Sequence, residues 1–207
     1  MNTENSVLRQ QALDTLRGNW GLAIGTFLLY FVITGIYQNI PYIGGLASIV
    51  LSGPFQLGLT KFTLAFSRKN EPRAEQIFEG FNDFSRALNA SLIMTIYIVL
   101  WLLLLIIPGI IVALSYSMTF FILTDDENIS ASDALKKSKE MMDGNKMKLF
   151  LLGLSFFGWA LLCILTLGIG LLWLIPYMQI TVAKFYQDLK GEEETRGSNS
   201  SLLDDMI

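Results

Sequence analysis

Histidine does not occur in this chain of 207 residues, and cysteine occurs once, as Cys163. Metal centres, catalytic triads and proton relays draw on those two residue types first, so the usual ligands and the usual general base are missing together. No catalytic residue, metal ligand or cofactor site is expected on this basis. Cys163 has no partner for an intramolecular disulfide, and in an apolar run a thiol packs as a small hydrophobic group. A basic excess is missing as well. The chain sets 15 Lys and Arg against 18 Asp and Glu, a net charge of −3, whereas a nucleic-acid partner calls for a basic field along its phosphates. The polar start from Asn2 to Gln11 lacks a charged segment leading into a short apolar one, so no cleaved signal peptide is expected.

Charge itself is absent from residues 18–60, 87–124 and 149–183, runs of 43, 38 and 35 residues that make up more than half the chain. Hydrocarbon excludes charge and one helical crossing takes about 20 apolar residues, so each run is too long for one crossing and suits two. A hydrophobic share of 52% with only 16% charged residues, and a mean hydropathy of +0.48, place the chain in the same class. The first run divides into Trp20 to Tyr37 and Ile43 to Phe66 around the turn Gln38-Asn39-Ile40-Pro41-Tyr42. The second divides into Leu88 to Ile107 and Ile110 to Leu123 at Pro108-Gly109. Unbroken, it would be a helix of about 57 Å, nearly twice a ~30 Å hydrocarbon core. The third breaks at Thr166-Leu167-Gly168-Ile169-Gly170, and Pro176 kinks its returning helix. If Pro108-Gly109 were a kink in one tilted helix, the count would fall to five crossings.

All 15 basic residues lie outside the three turns. Cytoplasmic segments are enriched in Lys and Arg, so both termini and both long connections are expected on that side. Each pair of crossings also has an amphipathic lead-in suited to the membrane interface. Leu8, Ala12, Thr15 and Leu16 share a face before Gly18; Ile77, Phe81, Phe84 and Leu88 recur at helical steps; Ala134, Ser138 and Met141 share a face before Gly144. Ser130 with Asp133 resembles a capping box at the start of the last of these. An internal echo links the first and third units. Gly18-Asn19 returns as Gly144-Asn145, and Gln56, Lys61 and Phe62 return as Gln179, Lys184 and Phe185.

Four groups of side chains invite a chemical reading. Lys136, Lys137 and Lys139, projecting from the third lead-in, suit lipid headgroups or a protein partner at the cytoplasmic face. Gln56 and Gln179 are the deepest amides, each near a proline that frees a backbone carbonyl, and form a speculative polar pocket for a transported neutral or amphipathic solute. Asp125, Asp126 and Glu127 cluster after the fourth helix, where carboxylates can hold Mg²⁺ against a phosphate, although an acidic helix-end loop needs the same residues. Lys61 and Lys184 sit where their ammonium groups can snorkel to the interface. Gly21 and Gly25 suggest close packing within the bundle, and Ser115, Ser117 and Thr119 suggest bonding back to their own helix.

Several phrases together carry a family resemblance: Leu104 to Ile111 with Pro108-Gly109 inside, Leu114-Ser115-Tyr116-Ser117-Met118-Thr119, and the run from Gly144-Asn145-Lys146 through Leu165 to Tyr177. The chain resembles the domain-of-unknown-function 975 family of bacterial integral membrane proteins over nearly its whole length, most strongly from Phe78 to Tyr186. The resemblance implies a multi-pass protein of the bacterial inner membrane and brings no activity with it. The expectation is thus an all-α polytopic membrane bundle of six helices in three hairpins, each preceded by an interfacial helix. Residues 1–190 form one integral membrane domain, and 191–207 an acidic, Ser-rich cytoplasmic tail whose composition predicts disorder. The expected role is non-enzymatic, binding or organising a partner or lipid, with transport or channel activity as the alternative and a lipid-phosphate enzyme as a weaker one. The lipid bilayer is the expected partner, nucleic acid is not, and the oligomeric state stays open.

Overall fold

The computed structural model describes residues 3–40 and 44–204, with 46 and 192–204 described by backbone alone. Among them every regular element is helical: α1 (Asn5–Leu16), α2 (Trp20–Gln38), α3 (Gly44–Arg68), α4 (Gln76–Glu79), α5 (Phe84–Leu104), α6 (Ile106–Tyr116), α7 (Thr119–Asp125), α8 (Ala131–Met141), α9 (Lys146–Leu165) and α10 (Leu171–Asp204). Five stretches among the described residues are long and apolar enough to cross a membrane: Trp20–Gln38, Ala47–Arg68, Phe84–Leu104, Ile106–Asp125 and Lys146–Leu165. These five are not the five of the kinked-helix alternative, because the chain does break between α5 and α6.

That break falls at Leu105, whose φ of −160° and ψ of 137° are extended, three residues before the expected Pro108-Gly109. Pro108 instead occupies the first turn of α6, where its missing N–H costs no hydrogen bond. Gly109 follows as a contact point, facing the Leu102 side chain across the turn. The other two turns lie where expected, between α2 and α3 and between α9 and α10, although Pro41 and Tyr42 lie outside the described residues. Leu167 and Gly168 adopt positive φ in the last turn. Two further interruptions had no sequence reading. The lead-in through Ile77, Phe81 and Phe84 is not one helix but α4, a turn at Gly80–Asp83, and the start of α5. Residues 117–118 separate α6 from α7. α10 extends to Asp204, and residues 205–207 lie outside the described residues.

Helix contacts repeat with a three-unit period and close on themselves. α2 touches α3 and α10; α5 touches α6, α7 and α3; α9 touches α10 and α6. Each lead-in packs on the second helix of the preceding unit: α4 on α3, α8 on α6 and α7, α1 on α10. α3 and the α6–α7 pair are inner helices, with 61% and 44% of their apolar windows buried, against 28%, 11% and 17% for α2, α5 and α9. The echo between the first and third units is conformational as well as sequential. Gly18 and Gly144 both adopt left-handed angles, φ 83° and 75°, which glycine accepts without a Cβ penalty. The same backbone bonds follow each: Asn19 N–H to Leu16 O and Ala23 N–H to Asn19 O in one, Asn145 N–H to Met142 O and Leu149 N–H to Asn145 O in the other.

The buried core gathers near the lead-in helices, around Phe62, Phe66, Met118, Met142 and Phe185. The turns at the far end are exposed and apolar, Leu103 to 81% and Leu167 to 94%. Trp101 and Trp159 also lie on the outer surface. Gly21 and Gly25 are corrected by the structure: they are exposed on α2 with open space beside them and do not pack within the bundle.

Candidate functional site

Charged segments that are far apart in sequence meet at the end of the bundle opposite the apolar turns. Asp125, at the end of α7, has a side chain only 9% exposed. Its Oδ2 accepts from Arg68 Nη2 on α3 at 2.7 Å, from Lys190 Nζ on α10 at 2.8 Å and from the Tyr186 hydroxyl at 3.0 Å. One carboxylate thus joins α3, α7 and α10, and beside it the rings of Phe121 and Tyr186 stack with their centroids 5.2 Å apart. Nearby, Lys148 donates to Asp188 Oδ2 at 3.0 Å and Arg86 Nη2 to Leu123 O at 2.7 Å. Lys61 and Lys184 bond across the bundle. Lys61 Nζ reaches Asp83 Oδ2 at 3.4 Å, and Lys184 Nζ donates to Ser67 O.

Asp125→Asn would keep the shape of this knot and remove the charge, leaving Arg68 and Lys190 facing a neutral amide. Both cations are about two-fifths exposed, so water screens part of the loss and the expected destabilisation is about 1–2 kcal/mol. Melting curves at low and high salt check it: the wild type loses stability as salt rises and the variant loses less. Equal melting and equal salt response would show that the knot contributes nothing.

The three acids after α7 do not converge. Asp125 is held by its cations, while Asp126 Oδ1 accepts from Asn128 and Ile129 N–H groups at 3.0 and 3.2 Å and turns the chain toward α8. Glu127 is exposed. Among the described residues no three His, Cys, Asp or Glu are grouped to hold a metal ion. Gln56 and Gln179 are each half-buried on α3 and α10, which pack together. Neither lines the cavities described below.

α8 is the most polar and most asymmetric of the lead-ins. Ser130 caps it by accepting from the Asp133 N–H at 3.1 Å. The Ser130 hydroxyl, followed by Lys136, holds the Asp133 carboxyl below its ordinary range. Ala131, Ala134, Leu135, Ser138 and Met141 face inward, while Lys136, Lys137 and Lys139 are exposed. The buried Ser138 hydroxyl donates to Ser115 O at 2.8 Å and accepts from Met118 N–H at 3.2 Å. It thereby satisfies the two backbone groups freed by the break between α6 and α7. Ser115, Ser117 and Thr119 bond back to Ile111 O, Leu114 O and Tyr116 O as expected.

Between α8 and the α5–α6 pair runs a groove of about 520 Å³, with Ile93, Ile96 and Tyr97 on α5, Tyr116 on α6, and Lys136 and Lys139 at its rim. The rings of Tyr97 and Tyr116 lie 5.9 Å apart. A second, polar cavity of about 390 Å³ shares those two lysines and adds Glu140, Asp143 and Lys146. A third, of about 420 Å³, is lined by apolar residues of α6, α9 and α10, among them Leu114, Phe156 and Met178. A small one of about 250 Å³ lies at Thr15, Phe66 and Pro72. Two of the three lysines singled out in the sequence thus share one rim, a placement that helical spacing suggested and only the packing of α8 gives depth.

Comparison with known proteins adds a family and no activity. A family described as proteins of unknown function, DUF975, matches residues 1–115 and 101–193. The chain belongs to the DUF975 family. No curated protein and no solved structure matches it. Several apolar helices make this DUF975 member compatible with an integral membrane protein, and the groove beside α8 combines an apolar floor with a basic rim.

Proposed function

We propose that this DUF975 member is a non-enzymatic, six-crossing protein of the bacterial cytoplasmic membrane that holds lipid headgroups or a protein partner on the face bearing α1, α4 and α8. The observation that carries the reading is the position of Lys136, Lys137 and Lys139. They project from a helix whose opposite face is buried, at the end of the bundle where the other charged junctions meet. A basic interfacial helix meets anionic headgroups there, while the uncharged turns suit hydrocarbon and the opposite surface. The sixth crossing is assigned to α10 on its place among the helices, although its uncharged part, residues 171–183, is shorter than the about 20 residues of a full crossing and needs Lys184 to reach the interface. Its partners α3 and α6–α7 occupy equivalent places in the ring of contacts. Both termini then share the basic side.

Single cysteines in a Cys163→Ser background test the topology. Asn39, Leu105 and Ile169 are suitable turn positions, because Leu105 and Ile169 are exposed while Gly109 is buried. All three are expected to react with an impermeant thiol reagent in intact cells, and a cysteine at Lys137 is expected to react only after lysis. Labelling at Lys137 with protection at Leu105 would reverse the assignment.

A further inference from the structure

We propose that the groove between α8 and the α5–α6 pair holds one anionic phospholipid, its phosphate on Lys136 and Lys139 and an acyl chain laid along Ile93 and Ile96. The inference deepens the reading above and rests on α8 lying at the headgroup level. A cavity of about 520 Å³ is within the ~300–1,000 Å³ typical of small-molecule sites. That space admits a glycerophosphate with the first part of a chain and leaves the remainder outside. An exit exists, since Ile96, Leu100 and Leu103 are exposed at helical spacing along α5 and lead from the groove toward the apolar turn. A chain leaving by that stripe passes directly into hydrocarbon. No water-soluble ligand would use such a path.

The rim supplies the sign of the headgroup. Among the described residues lining the groove, two are ammonium-bearing and none is a carboxylate. Asp133 pairs with Lys136 at 3.3 Å on the exposed side of α8, and the remaining acids, Glu140 and Asp143, stand in the adjoining polar cavity with Lys146. A phosphate on Lys136 and Lys139 therefore meets positive charge first. Beyond it, hydroxyl groups of a glycerol headgroup meet the carboxylates as hydrogen-bond acceptors. A choline headgroup offers those carboxylates no donor and cancels the phosphate charge internally.

Native mass spectrometry of the full-length protein in detergent, given equal amounts of dioleoyl phosphatidylglycerol and dioleoyl phosphatidylcholine, is the test. Wild type is expected to retain one phosphatidylglycerol with about tenfold preference, and Lys136→Ala with Lys139→Ala to bring that preference near parity. Ile96→Trp, which fills the groove, is expected to lower retention of either lipid. Arg73→Ala, an exposed charge elsewhere, leaves both unchanged. Millimolar inorganic phosphate is expected not to displace the lipid; displacement would mark a free-anion site and overturn the proposal. Equal retention of the two lipids by wild type, or a preference that survives the double variant, would overturn it too. Cysteine labelling separates the two levels: the expected topology without selective retention removes only the lipid site, whereas Lys137 labelling from outside removes the reading beneath it.

Discussion

Gly58→Ala is expected to cost this protein about 3 kcal/mol or more, enough to lower its melting temperature by roughly 10 °C. The cause is the approach of α4 to α3. A methyl group on Gly58 would overlap the Ile77 carbonyl oxygen, and one on Gly80 would overlap the Pro54 carbonyl oxygen. The two glycines therefore face each other's helices with backbone against backbone. A neighbouring side-chain tip could rotate away, but a carbonyl in a helix cannot, so α4 has to move off α3 as a body. That motion would expose Ile77, which is fully buried, and loosen Phe62 and Phe66 in the same cluster. Gly153→Ala is the internal control, because α9 leaves open space beside Gly153, and alanine there is expected to be neutral or slightly stabilising. Fluorescence-monitored melting of both variants in one detergent decides the matter. Equal melting temperatures would mean that the close approach of α3 and α4 does not hold in the folded protein.

Ser138→Ala is the second change with a large expected effect, about 2–4 kcal/mol, since it orphans two buried backbone groups at about 1–3 kcal/mol each. Met118 N–H and Ser115 C=O have lost their helical partners at the break between α6 and α7, and the one hydroxyl serves both. Without it, α8 loses its only polar anchor at that break, though its apolar contacts through Ala134 and Leu135 remain. Hydrogen exchange is the informative readout. Amides of residues 131–141 are expected to exchange much faster in the variant, while those of α2 and α3 keep their protection. Ser132→Ala, on the exposed side of the same helix, is expected to change neither. Unaltered exchange in α8 would mean that side-chain packing alone holds the helix in place. Because Lys136 and Lys139 ride on α8, the same variant is expected to weaken lipid retention without touching a lipid-facing residue.

How far the site could be read in advance differs from residue to residue. Lys136 and Lys139 were legible, because helical spacing alone puts them opposite Ala134, Ser138 and Met141; Lys137 lies at the edge of that face by spacing and is exposed only by the way α8 packs. Tyr97 and Tyr116 were not, since in an apolar run nothing distinguishes a residue facing α8 from one facing lipid. Asp125 was singled out beside Asp126 and Glu127 for its charge. Its actual partners, Arg68 and Lys190, come from helices 57 and 65 residues away, a pairing that no local pattern encodes. Pro108-Gly109 marked a real turn but not its position, because proline is tolerated in the first turn of a helix as readily as beside one.

What the sequence determined by itself is the all-helical, apolar class of the protein and the place of its long uncharged runs. Exclusion of charge from hydrocarbon acts on every residue of a long run at once, so its mark survives without knowledge of any contact. The same holds for the left-handed turns at Gly18 and Gly144, where a local angle demands a glycine. Only the tertiary structure decided which helices are inner, that each lead-in packs on the preceding unit, and that α8 closes a groove against α5 and α6. In lipid, apolar faces gain little from one another. The pairing of these helices therefore rests in part on close backbone approach at Gly58 and Gly80, on one hydroxyl at Ser138 and on the carboxylate of Asp125. The first two join elements that follow one another in the chain, and the Asp125 contacts join elements 57 and 65 residues apart.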